Sequence, residues 1–381
     1  MVKVTNIIRI TLLVLFCSQL FAHTDAARDA AIEKALPKFE KSIQDIMKAN
    51  GIPGVAVAVV SKDKVYYLKA FGVKRVGKPE KVTTSTLFQI ASLSKPVCAT
   101  MLGILHDKKK LSFDDPVSEY IPNFQNRKNR EPVRICHLVS HSSGVPIGGF
   151  NDFIEAQMPR QNIIAKLQTA RAVAQPGKQF AYHNAMYGVV EDVITTASGK
   201  PLPQTLKDEM FIPLGMRHAC VGYQPLLLST NKAYPHVPNG RGKYVPAQHY
   251  SNAYYSFLAA GGVNASVEDM VPFLQMYLGK STDIVSSNTL EELTKPFIKN
   301  NRAVMISEAR KGRVKDTYYG LGWHSMNYAQ HKVIYHQGHL KGFRNFMGFM
   351  PEEVGIVILT NADKRHSSKI ALKFFDAYLN S

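Results

Sequence analysis

Cysteine is scarce in this sequence, which has four among 381 residues. One of them, Cys17, lies in an N-terminal segment that we expect to be removed, so three would remain in the mature protein. Three cysteines allow at most one disulfide, which excludes a small scaffold held together by several cross-links. Cys136 is followed by His137, with His141 nearby, but no second cysteine accompanies them. A packed thiol is therefore favoured over a metal site.

Acidic residues are also few relative to basic ones. The 47 lysines and arginines outnumber the 29 aspartates and glutamates, so the formal net charge is +18 at pH 7. A surface of this sign favours anionic partners, and we expect it to be attracted to an anionic cell wall or a membrane surface. The basic clusters are short and no nucleic-acid-binding motif accompanies them, so no nucleic-acid partner is predicted. These clusters are 108–110, 127–130 and 310–313.

The apolar run near the N-terminus is too short to span a bilayer. Lys3 and Arg9 precede it and it ends at about Ala22, whereas a transmembrane helix needs about 20 apolar residues. A basic flank, a short apolar stretch and a small residue at Ala22 or Ala26 are typical of a cleaved export signal. We therefore predict a signal peptide over residues 1–22 and an exported protein, either periplasmic or secreted.

Strand patterns are found at both ends of the chain, and helical patterns occupy the middle. A helix over 27–49 is followed by two apolar, β-branched runs joined by a short polar turn, which predicts a hairpin. Between residues 111 and 310 the chain is mostly helical segments and loops that contain proline and glycine. The predicted strands are 55–60, 65–71, 318–323, 333–336, 343–349 and 354–359, and the predicted last helix is 369–379.

This order of elements predicts an α/β fold of the α+β type. Strands from the two ends of the chain must meet in one antiparallel sheet, with the terminal helices packed on it. We expect residues 27–381 to form one domain, with a sheet lobe over about 27–91 and 315–381 and an inserted, mostly helical lobe over about 92–314. A cleft between two lobes is a favoured place for a small-molecule site.

Ser92 and Lys95 form a Ser-x-x-Lys motif that indicates nucleophilic catalysis. Residues three apart on a helix share a face, so we expect the two side chains to be in contact. A serine hydroxyl needs a base to become a good nucleophile, and a desolvated lysine amine has a lowered pKa that suits this role. Pro96 is tolerated only in the first turn of a helix, so the helix must begin near Ser92. The N–H of the serine is then free to stabilise an oxyanion.

The Ser-x-x-Lys pattern is not specific by itself, because Ser61 and Lys64 repeat it in the predicted hairpin turn. Two further motifs follow Ser92 along the chain. Tyr182-His-Asn184 is a Tyr-x-Asn motif, and His336-Gln-Gly338 places a basic residue and a glycine just before a strand-like run.

Ser-x-x-Lys, Tyr-x-Asn and a basic residue-x-Gly, in this order, resemble the motifs of the penicillin-recognising serine hydrolases. This family contains class C β-lactamases, D-alanyl-D-alanine carboxypeptidases and family VIII-type esterases. The resemblance extends from about residue 40 to about residue 361 and implies a β-lactamase/transpeptidase-like fold. Segments that look like the framework of this family are 111–117, 135–144, 213–216, 260–262 and 319–323.

The resemblance implies three catalytic residues. Ser92 would be the nucleophile that forms an acyl-enzyme, and Lys95 and Tyr182 would share the general-base work and return the proton to the leaving group. Tyr250 also begins a Tyr-x-Asn motif. Tyr182 is preferred because a helix that stops at Gly199 follows it, as in the family.

Four further residues are implied to contact the substrate. Asn184 would hydrogen-bond the acyl-side amide of the substrate or the catalytic lysine. His336 takes the place of the lysine in the Lys-Thr-Gly motif of the family and, with Gly338, would line the opposite wall. The backbone N–H groups of His339 and of the nucleophile would form the oxyanion hole.

Histidine at position 336 affects the expected substrate. With an unperturbed pKa of about 6.5, it would mostly lack the fixed positive charge that lysine offers to a substrate carboxylate. At this position the sequence is more similar to the esterases and D-aminopeptidases of the family, so efficient β-lactam hydrolysis is not expected. A His336 that is simply satisfied by neighbouring strand residues is the structural alternative. A metal bound by His336 and His339 is disfavoured because no acidic residue or third histidine accompanies them, and no cofactor is predicted.

The sequence thus predicts an exported serine hydrolase whose substrate is an ester, a β-lactam or a cell-wall peptide that contains a D-amino acid. A catalytically silent protein that binds penicillin or cell-wall peptides is the alternative from another class. The presence of Ser92, Lys95 and Tyr182 together argues against it, because a protein that only binds has no need of a base.

Overall fold

The computed structural model describes residues 2–122, 124, 131–240, 242–281, 283–300 and 312–381, with the backbone alone for 2–24. The predicted signal peptide (1–22) lies outside the residues whose side chains are described, so export stays a prediction. The basic cluster 127–130 and half of the cluster 310–313 also lie outside the described residues. Within the described part of the chain, no helix combines the length and the apolar character needed to cross a membrane.

An eight-stranded antiparallel sheet forms the centre of one lobe. Its strand order is β2-β1-β13-β12-β11-β10-β9-β8, so the first hairpin pairs directly with the last strand. In that junction Val55 pairs with Thr360 and Val60 with Gly355. The prediction that strands from both ends of the chain meet in one antiparallel sheet is therefore confirmed. The strands of the described residues are β1 (Gly54–Val60), β2 (Val65–Gly72), β3 (Phe88–Gln89), β4 (Cys220–Val221), β5 (His236–Pro238), β6 (Tyr244–Pro246), β7 (Val263–Ala265), β8 (Ile298–Lys299), β9 (Val314–Tyr319), β10 (His324–Tyr328), β11 (His331–Leu340), β12 (Phe343–Met350) and β13 (Val354–Thr360).

Helices pack on both faces of this sheet and make up most of the second lobe. Short strands interrupt the second lobe as the pairs β3-β7, β7-β4 and β5-β6, which the sequence analysis did not predict. The helices of the described residues are α1 (Val2–Asn50), α2 (Ser94–Asp107), α3 (Ile135–Val139), α4 (Asn151–Glu155), α5 (Arg160–Thr169), α6 (Asn184–Gly188), α7 (Val190–Ser198), α8 (Leu202–Leu206), α9 (Ile212–Leu214), α10 (Tyr223–Leu228), α11 (Leu258–Gly261), α12 (Val267–Tyr277), α13 (Ser287–Thr294) and α14 (His366–Leu379).

β1 is buried on both faces, because its side chains alternate between two hydrophobic cores. The valines at 55, 57 and 59 face the core that α1 and α14 cover, where the rings of Phe39 and Phe374 lie 5.1 Å apart. The intervening Ala56, Ala58 and Val60 belong to the larger core of the other lobe. Successive residues of a strand point to opposite faces, so one strand joins two cores.

The strand predicted over 318–323 is wrong in its bounds. β9 ends at Tyr319 and β10 begins at His324, with a tight turn between them. Gly322 has a φ of +93° in this turn, a left-handed conformation that favours glycine. The N–H of Gly322 donates to the carbonyl of Val139 at 2.9 Å, which ties the turn to α3. β8, at residues 298–299, also belongs to the sheet, although it precedes residue 315, where the second part of the sheet lobe was predicted to begin.

Candidate active site

A cavity of about 600 Å³ lies between the edge of β11 and the helical lobe, beside the start of α2. Five of the seven residues singled out from the sequence line it, and they come from three separate segments. Lys95 is fully buried beside Ser92, and Gly338 packs against the backbone next to it. The five lining residues are Ser92, Tyr182, Asn184, His336 and His339.

Ser92 lies in a 3-10 turn, Ala91–Leu93, that leads directly into α2. Pro96 is in the first turn of α2, as expected from the sequence. Ala91 has a φ of +54°, an unusual conformation for a residue with a Cβ that often accompanies a functional constraint. The hydroxyl of Ser94 donates to the carbonyl of Ala91 at 2.7 Å and accepts from the N–H of Val263 at 3.0 Å. The turn that presents Ser92 is thus held from both sides.

The amine of Lys95 is positioned by three oxygens. Its Nζ lies 3.1 Å from Oγ of Ser92, 2.9 Å from Oδ1 of Asn184 and 2.8 Å from the carbonyl oxygen of Ala260. The amide and carbonyl oxygens only accept hydrogen bonds, so they occupy two N–H groups of a neutral amine. The lone pair of that amine is then left to face the hydroxyl of Ser92, as a general base requires.

The protonation state of Lys95 agrees with this geometry. Burial lowers the pKa of its amine from the ordinary value of 10.5 to about 7, while Cys98 acts weakly in the opposite direction. Desolvation disfavours the charged form, and no carboxylate contacts the amine to restore it within the described residues. A large share of the molecules therefore carries a neutral Lys95 near neutral pH.

Tyr182 is half-buried in the wall of the cavity, where its phenol lies beside Ser92. Burial raises its pKa well above 10, although the hydrogen bond with Ser92 acts in the opposite sense. The ring of His141 lies 4.1 Å from the ring of Tyr182 and holds it in place, and Nζ of Lys95 is 4.9 Å from its centroid. Tyr182 therefore stays protonated at neutral pH and is suited to donate a proton, whereas Lys95 is suited to accept one.

Asn184 connects the lysine to the helical wall of the cavity. It is the first residue of α6, whose N-terminus is capped by His183, because Nδ1 of that side chain accepts from the N–H of Met186 at 3.1 Å. The Nδ2 group of Asn184 donates to Oδ1 of Asn151 at 3.2 Å and to the hydroxyl of Tyr254 at 3.3 Å. These bonds leave Oδ1 directed at the amine of Lys95.

A half-buried ion-pair network supports the carbonyl that binds Lys95. Glu191 accepts a hydrogen bond from the N–H of Leu258 at 3.0 Å, at the start of α11, and Ala260 belongs to the same helix. Burial raises the pKa of Glu191 to about 7, and Arg160 opposes this shift. Arg160 itself donates to Asp192 at 2.9 Å, so the two carboxylates and the guanidinium hold α11 against α7.

His336 is fully enclosed and uncharged. Its Nδ1 lies 2.9 Å from the carbonyl oxygen of Gln337, so that nitrogen carries the proton, and Nε2 accepts from the hydroxyl of Tyr319 at 3.0 Å. Burial lowers the pKa of His336 far below its usual value, and the nearby His324 and Lys95 add to this shift. Position 336 therefore offers no positive charge to a substrate.

His339 has different surroundings from His336. Its side chain is exposed, and its Nε2 lies 2.9 Å from Oδ1 of Asp363. The two imidazoles thus contact different partners, which disfavours a metal shared between them. β10 pairs with β11 only as far as Tyr335, so the backbone edge from His336 to Leu340 borders the cavity. The role of the His339 N–H in an oxyanion hole stays a prediction.

Gly338 is needed because β11 passes very close to the turn before Ser92. A Cβ at this position would lie 2.0 Å from the carbonyl oxygen of Ile90, a backbone atom that cannot move aside. We expect Gly338→Ala to destabilise the protein by about 1–3 kcal/mol, because the strand and the turn must separate. The same displacement of Ser92 should lower kcat/KM by about 10- to 100-fold. Thermal unfolding and ester hydrolysis measure the two effects.

Gly355→Ala is the matched control for this prediction. A Cβ at Gly355 would lie 2.6 Å from Cδ2 of Leu274, in the core of the sheet and away from the cavity. This variant should lose stability but keep its activity per folded molecule. Equal losses of kcat/KM in both variants would contradict a specific role for the contact between Gly338 and Ile90.

The competing motifs lie away from the cavity. Tyr250 packs between Tyr234 and Phe343, with ring centroids 5.4 Å and 6.5 Å away, and its hydroxyl has no partner among the described residues. Lys64 of the second Ser-x-x-Lys copy forms an ion pair with Glu33 at 2.7 Å on the surface of α1. Neither residue lines the cavity that contains Ser92.

The sequence analysis missed several residues that line the cavity. His324 stacks near Tyr182 at 6.5 Å between centroids, and burial lowers its pKa to about 3. No motif marked these positions, and they reach the cavity only because distant segments fold together. The missed lining residues include Asn151, Tyr254, His324 and Arg344.

Comparison with known proteins finds related sequences over nearly the whole chain. A sequence model of the family described as Beta-lactamase matches residues 39–380. A protein of Escherichia coli K12 named Beta-lactamase is 24% identical over 362 residues, which cover 87% of this chain and 89% of that protein. The D-alanyl-D-alanine-carboxypeptidase/endopeptidase AmpH of the same strain is 25% identical over 355 residues, which cover 89% of this chain and 88% of AmpH.

Solved structures with the same fold cover a similar share of the chain. The octameric penicillin-binding protein homologue from Pyrococcus abyssi superposes with a TM-score of 0.81 at 26% identity, over 91% of this chain and 78% of that one. EstCE1, a hydrolase with promiscuous acyltransferase activity, superposes with a TM-score of 0.76 at 20% identity, over 92% of this chain and 99% of that one. At this identity the second likeness concerns the fold alone. The β-lactamase/transpeptidase-like fold implied by the sequence is confirmed.

Proposed function

The chain belongs to the Beta-lactamase family of serine hydrolases, and on this premise we propose that it forms an acyl-enzyme on Ser92 with an ester or a peptide that contains a D-amino acid. The observation that carries the proposal is the environment of Lys95. Two of its hydrogen-bonding positions are taken by Asn184 and Ala260, and the third faces the hydroxyl of Ser92. A buried amine with a lowered pKa in this arrangement is a general base for a nucleophile.

Acylation proceeds in this site without a cofactor. Neutral Lys95 removes the proton of Ser92 while Oγ attacks the substrate carbonyl carbon, and the N–H groups of Ser92 and His339 stabilise the oxyanion. The bond to the leaving group then breaks. Tyr182 gives its proton to the leaving oxygen or nitrogen, and the protonated Lys95 restores the proton of Tyr182.

Deacylation reverses these roles. A water molecule attacks the acyl carbon and gives a proton to Tyr182, which passes its own proton to the neutral amine of Lys95. As the bond to Oγ of Ser92 breaks, protonated Lys95 gives that proton to the serine oxygen, and the acid product leaves. Both half-reactions need the amine of Lys95 in its neutral form at the start, so both depend on its lowered pKa.

The neutral environment of position 336 supports the substrate class. A fixed cation there would hold a substrate carboxylate, but both nitrogens of His336 are engaged by Tyr319 and the backbone of Gln337. This favours an ester or a D-amino-acid peptide over an efficiently hydrolysed β-lactam. The related AmpH is named as a D-alanyl-D-alanine carboxypeptidase and endopeptidase, in keeping with the peptide arm of the proposal.

A substrate panel tests the proposal. Short-chain nitrophenyl esters, D-Ala-D-Ala peptides and nitrocefin are compared, with Ser92→Ala as the blank. We expect turnover of an ester or a peptide that is lost in the blank, and slow turnover of nitrocefin. A fluorophosphonate should add its mass to the intact protein at Ser92 alone. Labelling at Ser92 without turnover of any substrate would favour the silent binding protein.

Two further parts of the proposal concern location. The N-terminal pattern at 1–22 supports export, and the sequence of the mature N-terminus in fractionated cells tests it. The net charge of +18 supports attraction to an anionic cell wall or membrane. Binding to anionic vesicles should weaken with added salt and should be the same in Ser92→Ala, since this attraction does not use the nucleophile.

A further inference from the structure

Arg344 is a cationic side chain in the lining of the cavity that the mechanism does not use. It lies on β12, where it pairs with His339 of β11. Its Nε has no hydrogen-bond partner among the described residues. Among the described residues Arg344 has one ion pair, in which its Nε lies 4.0 Å from Oδ1 of Asp363. That oxygen already lies 2.9 Å from Nε2 of His339. A guanidinium has five donors, and most of its capacity is unused here.

A second donor without a partner faces the same cavity. Gln337 lines the cavity two residues before His339, and its Nε2 is buried with no acceptor among the described residues. Residues two apart on a strand share a face, so Gln337, His339 and Arg344 lie on one face of β11 and β12. Buried donors without acceptors cost free energy, which an acceptor supplied by a ligand would recover.

The direction of β11 indicates which part of the substrate reaches Arg344. The ring of Tyr182 lies 6.4 Å from that of His336, at the near end of the exposed strand edge. Tyr182 gives its proton to the leaving group, so the leaving group lies at this end. The edge continues for about 10 Å from His336 to His339, beside Arg344. The acyl chain, which points away from the leaving group, therefore extends towards Arg344.

We propose that Arg344 is a specificity-determining residue that binds a carboxylate carried on the acyl chain of the substrate. The inference rests on the proposed acyl transfer to Ser92 and adds the chemical class of the acyl group. Since position 336 is uncharged, Arg344 is the cation of the described lining that can attract an anion. Glu155, the acidic residue of the lining, lies across the cavity on α4. A planar guanidinium suits two-point contact with a carboxylate.

Two matched esters test this assignment. Mono-4-nitrophenyl adipate carries an acyl chain that ends in a carboxylate, and its methyl ester is the uncharged counterpart of nearly the same shape. We expect wild type to have a kcat/KM about 10- to 100-fold higher for the acid, the range typical of a hydrogen bond to a charged group. In Arg344→Met this preference should disappear, while kcat/KM for the methyl ester stays within about twofold of wild type.

Three variants serve as controls. Arg344→Lys keeps the charge but loses the planar fork, so it should retain part of the preference. Asp363→Asn removes the carboxylate that competes for Arg344, so the preference for the acid should increase. Arg217 is exposed and does not line the cavity, so Arg217→Met should leave the preference unchanged. Opposite shifts in Arg344→Met and Asp363→Asn would not arise from a purely structural role.

The outcomes separate this inference from the proposed function. Equal hydrolysis of both esters by wild type, with none in Ser92→Ala, would overturn the role of Arg344 and leave the acyl-enzyme standing. Equal loss of both activities in Arg344→Met, with a lowered Tm, would assign the residue to folding and also overturn the inference. If wild type hydrolyses neither these esters nor the substrate panel, the proposed function fails and this inference fails with it.

Discussion

Replacing Lys95 with arginine is expected to lower kcat/KM by about 10²- to 10⁴-fold, the share of the rate that a general base supplies. Arginine keeps a positive charge at any working pH, so it cannot take the proton of Ser92. The variant tests the role of the neutral amine and not the presence of a long side chain. Release of nitrophenolate from an ester, measured against Ser92→Ala, gives the ratio.

The pH dependence of kcat/KM in wild type should report the titration of Lys95. Burial lowers the pKa of Lys95 to about 7, so the active, neutral amine is gained as the pH rises through this value. We therefore expect kcat/KM to rise between about pH 6 and pH 8 and then to level off. A rise of kcat/KM near the ordinary lysine pKa of 10.5 would mean that the amine is not desolvated. A pH profile without any rise would exclude Lys95 as the base.

Lys64→Arg is the matched control for the lysine prediction. Lys64 occupies the same position in the second Ser-x-x-Lys copy, but it forms a surface ion pair with Glu33. This change should leave both kcat/KM and Tm near their wild-type values, because exposed ion pairs contribute little to stability. A comparable loss in both variants would show that the motif at Ser92 has no special role.

Replacing Tyr182 with phenylalanine is the second change with a large expected effect. Its phenol lies beside Ser92 in the cavity, and its raised pKa keeps the proton available for the leaving group. We expect kcat/KM to fall by about 10²- to 10³-fold, and more for substrates with poor leaving groups that need protonation. Comparing a nitrophenyl ester with an alkyl ester or a peptide measures this dependence.

Tyr250→Phe decides between the two Tyr-x-Asn motifs. The hydroxyl of Tyr250 is buried without a partner among the described residues, so its removal should leave kcat/KM unchanged and stability equal or slightly higher. The opposite pattern, with a large loss for Tyr250 and none for Tyr182, would move the active site to the second motif. Tm values for both variants show whether either change disturbs folding.

Much of the sheet and the first half of the active site could be predicted from local patterns. The apolar runs of β1 and β13 indicate buried strands, and Pro96 limits where α2 can begin. The turn between β9 and β10 was not predicted because Tyr319 and Trp323 are residue types that favour strands. The turn is fixed by the hydrogen bond from Gly322 to α3, which a local pattern does not show. The signal peptide and the lobe boundaries stay predictions.

The sequence by itself determined the contact between Ser92 and Lys95, because residues three apart at the start of one helix are neighbours whatever surrounds them. Only the tertiary structure lowers the pKa of this lysine, as its proposed role as a base requires. Its pKa depends on burial and on acceptors from Asn184 and Ala260, which lie 89 and 165 residues further along the chain. The position of Arg344 beside the same cavity depends equally on strand pairing. Desolvation and long-range hydrogen bonds arise from packing, and no local pattern encodes them.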